Sequence, residues 1–266
     1  MQALVDSLKL SGMIRMPAVE AAFRKTDRLD FMATSDPPSV QQLLHGERMT
    51  AADVAKISAA CAYRDRPSAL LRGATITAPG LHAHVTELLA HALAKPKARV
   101  LDVGSGSGYL LPIFAYMSPD HSSTVVGVEH IPEMVEFSKR AIGRHIAAVA
   151  AASSGPQSPP LTIGTDAGCR IHVVCGDGRL GYPPLAPYDA IHVGAAASEV
   201  PSALLESLAP GGRLVMPVGH ASVQVYRVVD KSVDPHGNVS YHPFDDTSMQ
   251  VVFVPLTDVS AYPSTP

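Results

Sequence analysis

A glycine-rich segment in the middle of the chain has the residue types that hold a nucleotide-like ligand. Residues 100–108 read VLDVGSGSG, so a short apolar run leads into three glycines before a helix-like stretch. Glycines permit a sharp turn and a close approach of backbone to ligand, and such turns follow strands in nucleotide-binding sheets. A dinucleotide fingerprint reads Gly-x-Gly-x-x-Gly. Here the third glycine, Gly108, comes one position early, and the carboxylate of Asp102 precedes the loop.

Two further acidic residues end the strands predicted after this loop. Glu129 ends the second strand, where a carboxylate can accept both hydroxyls of a ribose. Asp177 ends the third strand, where it can accept from an adenine amino group. Together with Asp102 they favour a cationic ligand without phosphates. S-adenosylmethionine, a sulfonium with a ribose diol, therefore fits better than NAD, although a dehydrogenase stays open as an alternative.

The elements that must position these residues alternate between strands and helices. Apolar runs predict strands at 99–103, 124–128, 171–174, 190–193 and 213–217, and helical periodicity predicts helices at 109–117, 132–148 and 200–208. This alternation is typical of a parallel sheet with crossover helices. Segments 223–229 and 250–254 flank a turn at 234–238, and they predict an antiparallel addition at the sheet edge.

The remaining segments are predicted to be helical or irregular. Two short helices are expected in the first thirty residues, with a break at Gly12 and Pro17, and another helix at 51–63. The Ser-, Pro- and Gly-rich segment 151–168 is expected to contain neither helix nor strand, and to form a surface loop.

Composition excludes several classes of protein. The chain has 266 residues and a net charge of −3, so it lacks the basic character of a nucleic-acid-binding domain. It contains no apolar run of 18 residues, so we expect no membrane span. It has only three cysteines, so we expect no disulfide framework and a cytoplasmic location. No metal site is expected, because His82 and His84 lack metal-ligand spacing.

Several segments, in the same order, resemble protein-L-isoaspartate (D-aspartate) O-methyltransferases of the eukaryotic type. They are ATITAPGLHA at 74–83, DVGSGSG at 102–108, GVEH at 127–130, GDGR at 176–179, APYDAIHVGAAA at 186–197, LAPGGRL at 208–214, PVG at 217–219 and VPLTD at 254–258. The resemblance covers most of 4–28 and 73–258. It implies a class I S-adenosylmethionine-dependent methyltransferase, with a Rossmann-like α/β fold, a mostly parallel sheet flanked by helices and an antiparallel C-terminal edge.

The resemblance implies methyl transfer from S-adenosylmethionine to the free carboxylate of L-isoaspartyl residues in damaged proteins and peptides. The ester then cyclises to a succinimide, which reopens partly to aspartate. An acceptor carboxylate is ionised at pH 7 and needs no general base, so catalysis should depend on positioning and desolvation. Thr77 is the predicted catalytic residue, because its hydroxyl can donate to one acceptor oxygen and hold the other toward the methyl group.

The residues implied to surround the cofactor come from the active-site segment, the glycine loop and the strand ends. They are Ala74, Thr75, Ile76, Thr77, His82, Asp102, Gly104, Gly106, Ser107, Glu129, His130, Asp177, Gly178 and Thr257. Two positions depart from the family pattern. Serine is usual where Thr77 stands, and histidine is frequent where Gly80 stands. Threonine keeps the hydroxyl but restricts χ1, which affects the rate more than the existence of activity.

The chain is longer than the common core of the family, and the excess lies mainly in insertions at 34–72 and 147–168. We therefore expect a single domain over 1–266, with a helical N-terminal segment at 1–72 and a catalytic core at 73–266. The family implies a monomer whose partners are isoaspartyl-containing proteins and peptides, with no nucleic acid or membrane. The alternatives are a non-catalytic S-adenosylmethionine-binding adaptor that recognises substrates, and a methyltransferase for another acceptor.

Overall fold

A sheet of eight strands organises the described part of the chain, which in this computed structural model comprises residues 1–33, 50–119, 122–152, 162–163, 170–220 and 223–257. The helices are α1 (Gln2–Leu10), α2 (Pro17–Lys25), α3 (Ala51–Ala62), α4 (Pro79–Leu93), α5 (Leu110–Met117), α6 (Pro132–Ala152) and α7 (Ser202–Glu206). The strands are β1 (Ser68–Ala69), β2 (Thr75–Ile76), β3 (Arg99–Val103), β4 (Thr124–Glu129), β5 (Thr162–Ile163), β6 (Arg170–Cys175), β7 (Tyr188–Val193), β8 (Leu208–His220), β9 (Val223–Val233) and β10 (Val239–Val251).

The strand order of the large sheet is β10-β9-β8-β7-β3-β4-β6-β5. Neighbouring strands from β8 to β5 are parallel, whereas β9 is antiparallel to both β8 and β10. The predicted fold class, a mostly parallel sheet with an antiparallel C-terminal edge, is confirmed. Central β3 pairs with β4 on one side and with β7 on the other, so the strand order reverses there. The carboxyl ends of strands at such a reversal form a crevice for ligands.

Both faces of the central strands are buried, as parallel sheets require. Successive side chains of a strand point to opposite faces. Val100 and Val125 accordingly belong to one hydrophobic cluster, while Leu101, Val103 and Val126 belong to another on the opposite face. This explains why the predicted strands read as continuous apolar runs instead of alternating ones.

The predicted helices of the N-terminal segment are confirmed. Helices α1 and α2 flank the expected break, and α3 begins at a capping box in which Thr50 and Asp53 bind each other's backbone N–H groups. Phe23 of α2 packs edge-on against Tyr109, with ring centroids 6.2 Å apart. These helices therefore share the core that lies on one face of the sheet. The predicted insertion 34–72 is described only from residue 50 onward, and the expectation of a single domain stays a prediction.

Several C-terminal boundaries differ from the prediction. Strands β8 and β9 are longer than the predicted 213–217 and 223–229. Strand β10 occupies 239–251 instead of 250–254, because pairing with β9 defines it and most of its side chains are exposed, so hydrophobic alternation does not report it. Helix α7 is shorter than the predicted 200–208, because Pro201 precedes its first turn and Leu208 already pairs in β8.

The segment predicted to contain neither helix nor strand is shorter than expected. Helix α6 continues to Ala152, and β5 pairs in parallel with β6. The prediction was therefore wrong for 151–152 and 162–163. Single-sequence composition does not reveal that a two-residue strand finds a partner in a neighbouring element. Positions 153–161 and 164–168 lie outside the described residues.

Alanine at Gly108 in the glycine loop is expected to destabilise the protein more than alanine at Gly211. Both glycines have φ in the left-handed region, +77° and +71°, which costs an L-residue about 1–2 kcal/mol. A Cβ at Gly108 would also lie 2.2 Å from Ser138 Oγ and 3.1 Å from Ile142 Cδ1, whereas at Gly211 no described atom lies within 4 Å. We expect losses of unfolding free energy of about 3 and about 1 kcal/mol by urea denaturation. Equal losses would contradict the packing argument.

Candidate active site

A cavity of about 390 Å³ opens at the carboxyl ends of β3, β4 and β7. This volume falls within the range of about 300–1,000 Å³ that small-molecule sites have. The predicted residues that line it are Ala74, Thr75, Thr77, Gly104, Gly106, Glu129, His130, Gly178 and Thr257. The structure therefore brings together nine residues that lie up to 183 positions apart, counted from Ala74 to Thr257.

Glu129 is the carboxylate best placed to meet a ligand in this cavity. Its side chain is buried, and its Oε2 accepts from the N–H of Gly106 at 3.0 Å. Its Oε1 lies 3.0 Å from both the N–H of Ile131 and Nδ1 of His130. Burial raises the pKa of Glu129, but the hydrogen bonds from His130, Ile131 and Gly106 outweigh burial and hold the pKa below its ordinary value. A negative charge is thus fixed on the cavity wall at neutral pH.

A second, smaller cavity of about 40 Å³ adjoins the same loop. Thr75, Thr77, Gly104 and Gly106 line both cavities. The predicted residues that line only the small one are Ile76, His82, Asp102 and Ser107. Half-buried Thr77 therefore stands at the junction of a large ligand cavity and a small polar one.

Two histidines contribute to the polar wall of the small cavity. Nδ1 of buried His192 lies 2.7 Å from Oδ1 of Asp102, so this carboxylate is already engaged inside the protein. Burial, together with the nearby Arg28 and His192, holds the pKa of His82 well below its ordinary value. His82 is therefore neutral at pH 7, and it is not a cationic partner for a ligand.

The two histidines that could have suggested a metal pair face different partners. His82 lines the small cavity, whereas Nε2 of His84 lies 2.5 Å from Oδ2 of Asp246 on β10. Among the residues that the structure describes, no group of three or more His, Cys, Asp or Glu side chains is arranged to hold a metal ion.

None of the helices in the described ranges has both the length and the apolar character needed to cross a bilayer.

Asp177 is the one predicted site residue that lines neither cavity. Its carboxylate pairs with Arg179, with Arg179 Nη2 and Asp177 Oδ2 2.6 Å apart, and its Oδ1 accepts from the N–H of Arg179 at 3.0 Å. It thereby caps the 3-10 turn Gly178–Leu180, whose first residue lines the large cavity. Its contact with an adenine amino group stays a prediction, and the structure shows it capping the turn that begins at Gly178.

Alanine at position 177 is expected to raise the Kd for S-adenosylhomocysteine about fivefold, because loss of an N-cap costs about 1 kcal/mol. Asparagine caps turns nearly as well as aspartate, so Asp177→Asn should keep the Kd within about twofold. Isothermal titration calorimetry on both variants measures the difference. If the asparagine variant binds as weakly as the alanine variant, the charge of Asp177 acts on the ligand directly.

The C-terminal wall of the large cavity was missed by sequence reasoning, apart from Thr257. It consists of residues 252–257, and backbone hydrogen bonds join it to residue 196, which follows β7. The N–H of Ala196 donates to the carbonyl of Val254 at 2.9 Å, and the N–H of Leu256 donates back to Ala196 at 2.8 Å. Buried Gln224 clamps both backbone groups of Phe253 from the other side. The family-like segment at 254–258 was the available signal, but partners at 196 and 224 cannot be read from it.

Gly80, where the family frequently has histidine, contacts Asp65 of the preceding segment. The Asp65 carboxylate accepts from the N–H of Gly80 at 2.6 Å at the start of α4. A Cβ at Gly80 would lie 2.6 Å from Asp65 Oδ2. The small residue thus leaves space for a carboxylate that caps the helix immediately after Thr77, where the N-terminal dipole favours negative charge.

The cavity fits the cofactor that the sequence favours. Glu129 is a buried carboxylate on the cavity wall, and glycines at 104 and 106 present bare backbone at positive φ. Leu81, Ile131 and Leu256 provide apolar contact surface in the same cavity. These features suit a nucleoside attached to a flexible, phosphate-free side chain.

Comparisons with known proteins show which family the chain resembles. Residues 46–261 match the protein-L-isoaspartate(D-aspartate) O-methyltransferase (PCMT) family model. A protein-L-isoaspartate O-methyltransferase of Triticum aestivum is 40% identical over 260 residues, covering 97% of this chain and 92% of its own length. Protein-L-isoaspartate O-methyltransferase 1 of Arabidopsis thaliana is 47% identical over 200 residues, with coverages of 75% and 76%.

A solved structure extends the similarity to three dimensions. It is a Plasmodium falciparum protein described as a protein-L-isoaspartate O-methyltransferase, in complex with S-adenosyl-L-homocysteine. It is 26% identical, has a TM-score of 0.67, and the match covers 96% of this chain and 97% of that one. With the matched family model and the two plant relatives, these findings place the chain in the protein-L-isoaspartate(D-aspartate) O-methyltransferase family.

Proposed function

We propose that this protein moves a methyl group from S-adenosylmethionine to the free carboxylate of L-isoaspartyl residues in damaged proteins and peptides, with S-adenosylhomocysteine as the second product. The observation that carries the proposal is the position of Thr77 at the junction of the two cavities. Membership of the family supports the choice of acceptor.

The large cavity would hold the cofactor. When bound, S-adenosylmethionine supplies an electrophilic methyl group on a sulfonium. Glu129 would accept hydrogen bonds from the ribose hydroxyls, and its fixed negative charge favours a cationic ligand. The backbone at Gly106 and Gly178 would contact the nucleoside at close range, because neither residue carries a side chain.

The acceptor would be held by Thr77. Its hydroxyl would donate to one oxygen of the acceptor carboxylate and leave the other oxygen free to attack the methyl carbon. As the new C–O bond forms, the C–S bond breaks and its electron pair stays on sulfur. No proton moves, so the site needs no general base, and the neutral state of His82 is compatible with this chemistry.

The C-terminal wall would exclude water from the reacting groups. Phe253, Pro255 and Leu256 line the large cavity with apolar atoms. An acceptor carboxylate that loses its hydration shell is a stronger nucleophile, so an apolar wall beside Thr77 favours the transfer.

Paired peptides test the proposed activity. Two peptides that differ only in an isoaspartyl or an aspartyl linkage would be incubated with labelled S-adenosylmethionine, and incorporated methyl would be counted. We expect label only in the isoaspartyl peptide. Equal labelling of both peptides would point to another acceptor. Labelling of neither, with cofactor binding retained, would favour a substrate-recognition adaptor instead.

We further propose that the chain acts as one domain and as a cytoplasmic monomer, with isoaspartyl-containing proteins and peptides as its partners. A net charge of −3 supports the absence of a nucleic-acid partner. Packing of Phe23 against Tyr109 supports a single core shared by the N-terminal helices and the sheet. Size-exclusion chromatography with light scattering measures the molar mass in solution and so tests the monomeric state.

A further inference from the structure

A fully buried arginine lies behind the wall of the small cavity. Arg28 has no exposed surface, and it begins a 3-10 turn, Arg28–Phe31, after α2. Its Nη2 donates to the carbonyl oxygen of Ile76 at 3.4 Å. Its Nε and Nη1 have no hydrogen-bond partner among the described residues. Burial of a cation without a counter-charge is costly, and burial lowers the pKa of Arg28 to about 10, so it stays protonated at pH 7.

Arg28 contacts residues that form the cavity wall. Besides its hydrogen bond to Ile76, its guanidinium carbon lies 5.6 Å from the centre of the Tyr109 ring. Its charge also contributes to the lowered pKa of His82. Ile76, Tyr109 and His82 all line the small cavity. The cation therefore lies directly behind residues of the cavity wall, in surroundings where charges interact strongly.

Three residues that line the cavity have buried polar atoms without a hydrogen-bond partner among the described residues. They are Tyr109 Oη, Ser105 Oγ and Nδ1 of His82. Hydroxyl groups can donate hydrogen bonds, as can a neutral imidazole through one of its nitrogens. The volume of about 40 Å³ exceeds the roughly 10–15 Å³ that one buried water requires. A small group that accepts several hydrogen bonds fits this cavity.

Acidic side chains in the region are engaged elsewhere. Asp65, whose charge acts on Arg28, accepts from the N–H of Gly80 at 2.6 Å. Asp102 pairs with His192 at 2.7 Å. In the described ranges, no carboxylate forms an ion pair with Arg28, and Asp65 acts on its charge only from a distance.

We propose that Arg28 is a positioning residue whose buried charge is the counter-charge of a carboxylate bound in the small cavity. The guanidinium stays behind Ile76 and Tyr109 and acts through its field, while the cavity's own donors contact the anion. Two carboxylates could enter: that of the cofactor's amino-acid end, and that of the acceptor. The identity of these two ligands rests on the proposed function.

Replacement of Arg28 with methionine removes the charge and keeps most of the volume. We expect Arg28→Met to leave the unliganded protein at least as stable in urea, because no unpaired charge is then buried. The Kd for S-adenosylhomocysteine or the KM for the isoaspartyl peptide should rise about 30-fold. Arg28→Lys, which retains a charge, should stay within about fivefold. Arg227→Met is the control, since Arg227 on β9 pairs with Asp245 on β10.

A second ligand identifies the source of the carboxylate. Methylthioadenosine contains the nucleoside and the thioether but no amino-acid carboxylate. If the cofactor's carboxylate occupies the cavity, Arg28→Met raises the Kd for S-adenosylhomocysteine in calorimetry and leaves the Kd for methylthioadenosine unchanged. If the acceptor's carboxylate occupies it, both nucleoside affinities stay unchanged and the peptide KM rises while kcat holds.

Other outcomes would overturn the proposal. If Arg28→Met weakens the binding of both nucleosides equally, Arg28 only supports the fold. The same follows if Arg28→Lys and Arg28→Met raise the Kd or the KM equally. Unchanged Kd and KM values would show that no counter-charge is needed. Should Arg28→Met fail to fold, Arg28→Gln carries the same comparison. Direct binding of the two nucleosides needs no methyl transfer, so a failure of the proposed activity would be recognised separately.

Discussion

Glutamine at position 129 is expected to raise the Kd for S-adenosylhomocysteine about 100-fold. The carboxylate now accepts from two backbone N–H groups and from His130, and it would accept two ribose hydroxyls in addition. An amide has one acceptor oxygen, and its NH₂ group would face the N–H of Gly106 or Ile131. Loss of hydrogen bonds to a charged acceptor costs about 1.5–3 kcal/mol each, which corresponds to tenfold or more in Kd. Calorimetry at pH 7 measures the change.

A matched substitution on the surface separates this effect from a general loss of charge. Glu136→Gln removes an exposed carboxylate that pairs with Lys139 on α6, so the Kd should stay within about twofold. Because the pKa of Glu129 is held below its ordinary value, wild-type affinity should be constant from pH 8 to pH 6, and it should fall only under more acidic conditions. An unchanged Kd in Glu129→Gln would remove this residue from the ribose site.

Valine at position 77 is expected to lower kcat about 100-fold while the Kd for S-adenosylhomocysteine stays within about threefold. Valine has nearly the shape of threonine but no hydroxyl, so the cavity is preserved and the acceptor loses its donor. Misplacement of a reacting group by about 1 Å can cost about 100-fold in rate. Methyl incorporation into the isoaspartyl peptide at saturating cofactor measures kcat.

Two further variants make this result specific. Thr77→Ser keeps the hydroxyl with freer χ1, so its activity should equal or exceed that of the wild type. Thr124→Val makes the same chemical change at the amino end of β4, whereas the site lies at the carboxyl ends of the strands. This variant should leave kcat unchanged. Wild-type turnover in Thr77→Val would show that the hydroxyl takes no part in the transfer.

The order of strands and helices follows from local sequence because each element of the core repeats a simple pattern. Strands β3 and β4 are apolar on both faces, and the glycine loop requires φ values that other residues avoid. The weakly amphipathic β10 was misplaced, since its position depends on backbone pairing with β9. Local rules thus describe elements that bury their own side chains, and they fail where a distant strand provides the stabilising partner.

The same division applies to the site. The sequence by itself determined the cofactor class and the family, because Glu129, the early third glycine and the segment around Thr77 are local features with few alternative uses. Only the tertiary structure decided which polar groups are already satisfied. It paired Asp177 with Arg179, it placed Asp65 where a side chain at position 80 would stand, and it left the buried guanidinium of Arg28 without an ion-pair partner among the described residues. Such partners lie far apart in the chain or compete for one group, so only folding chooses among them.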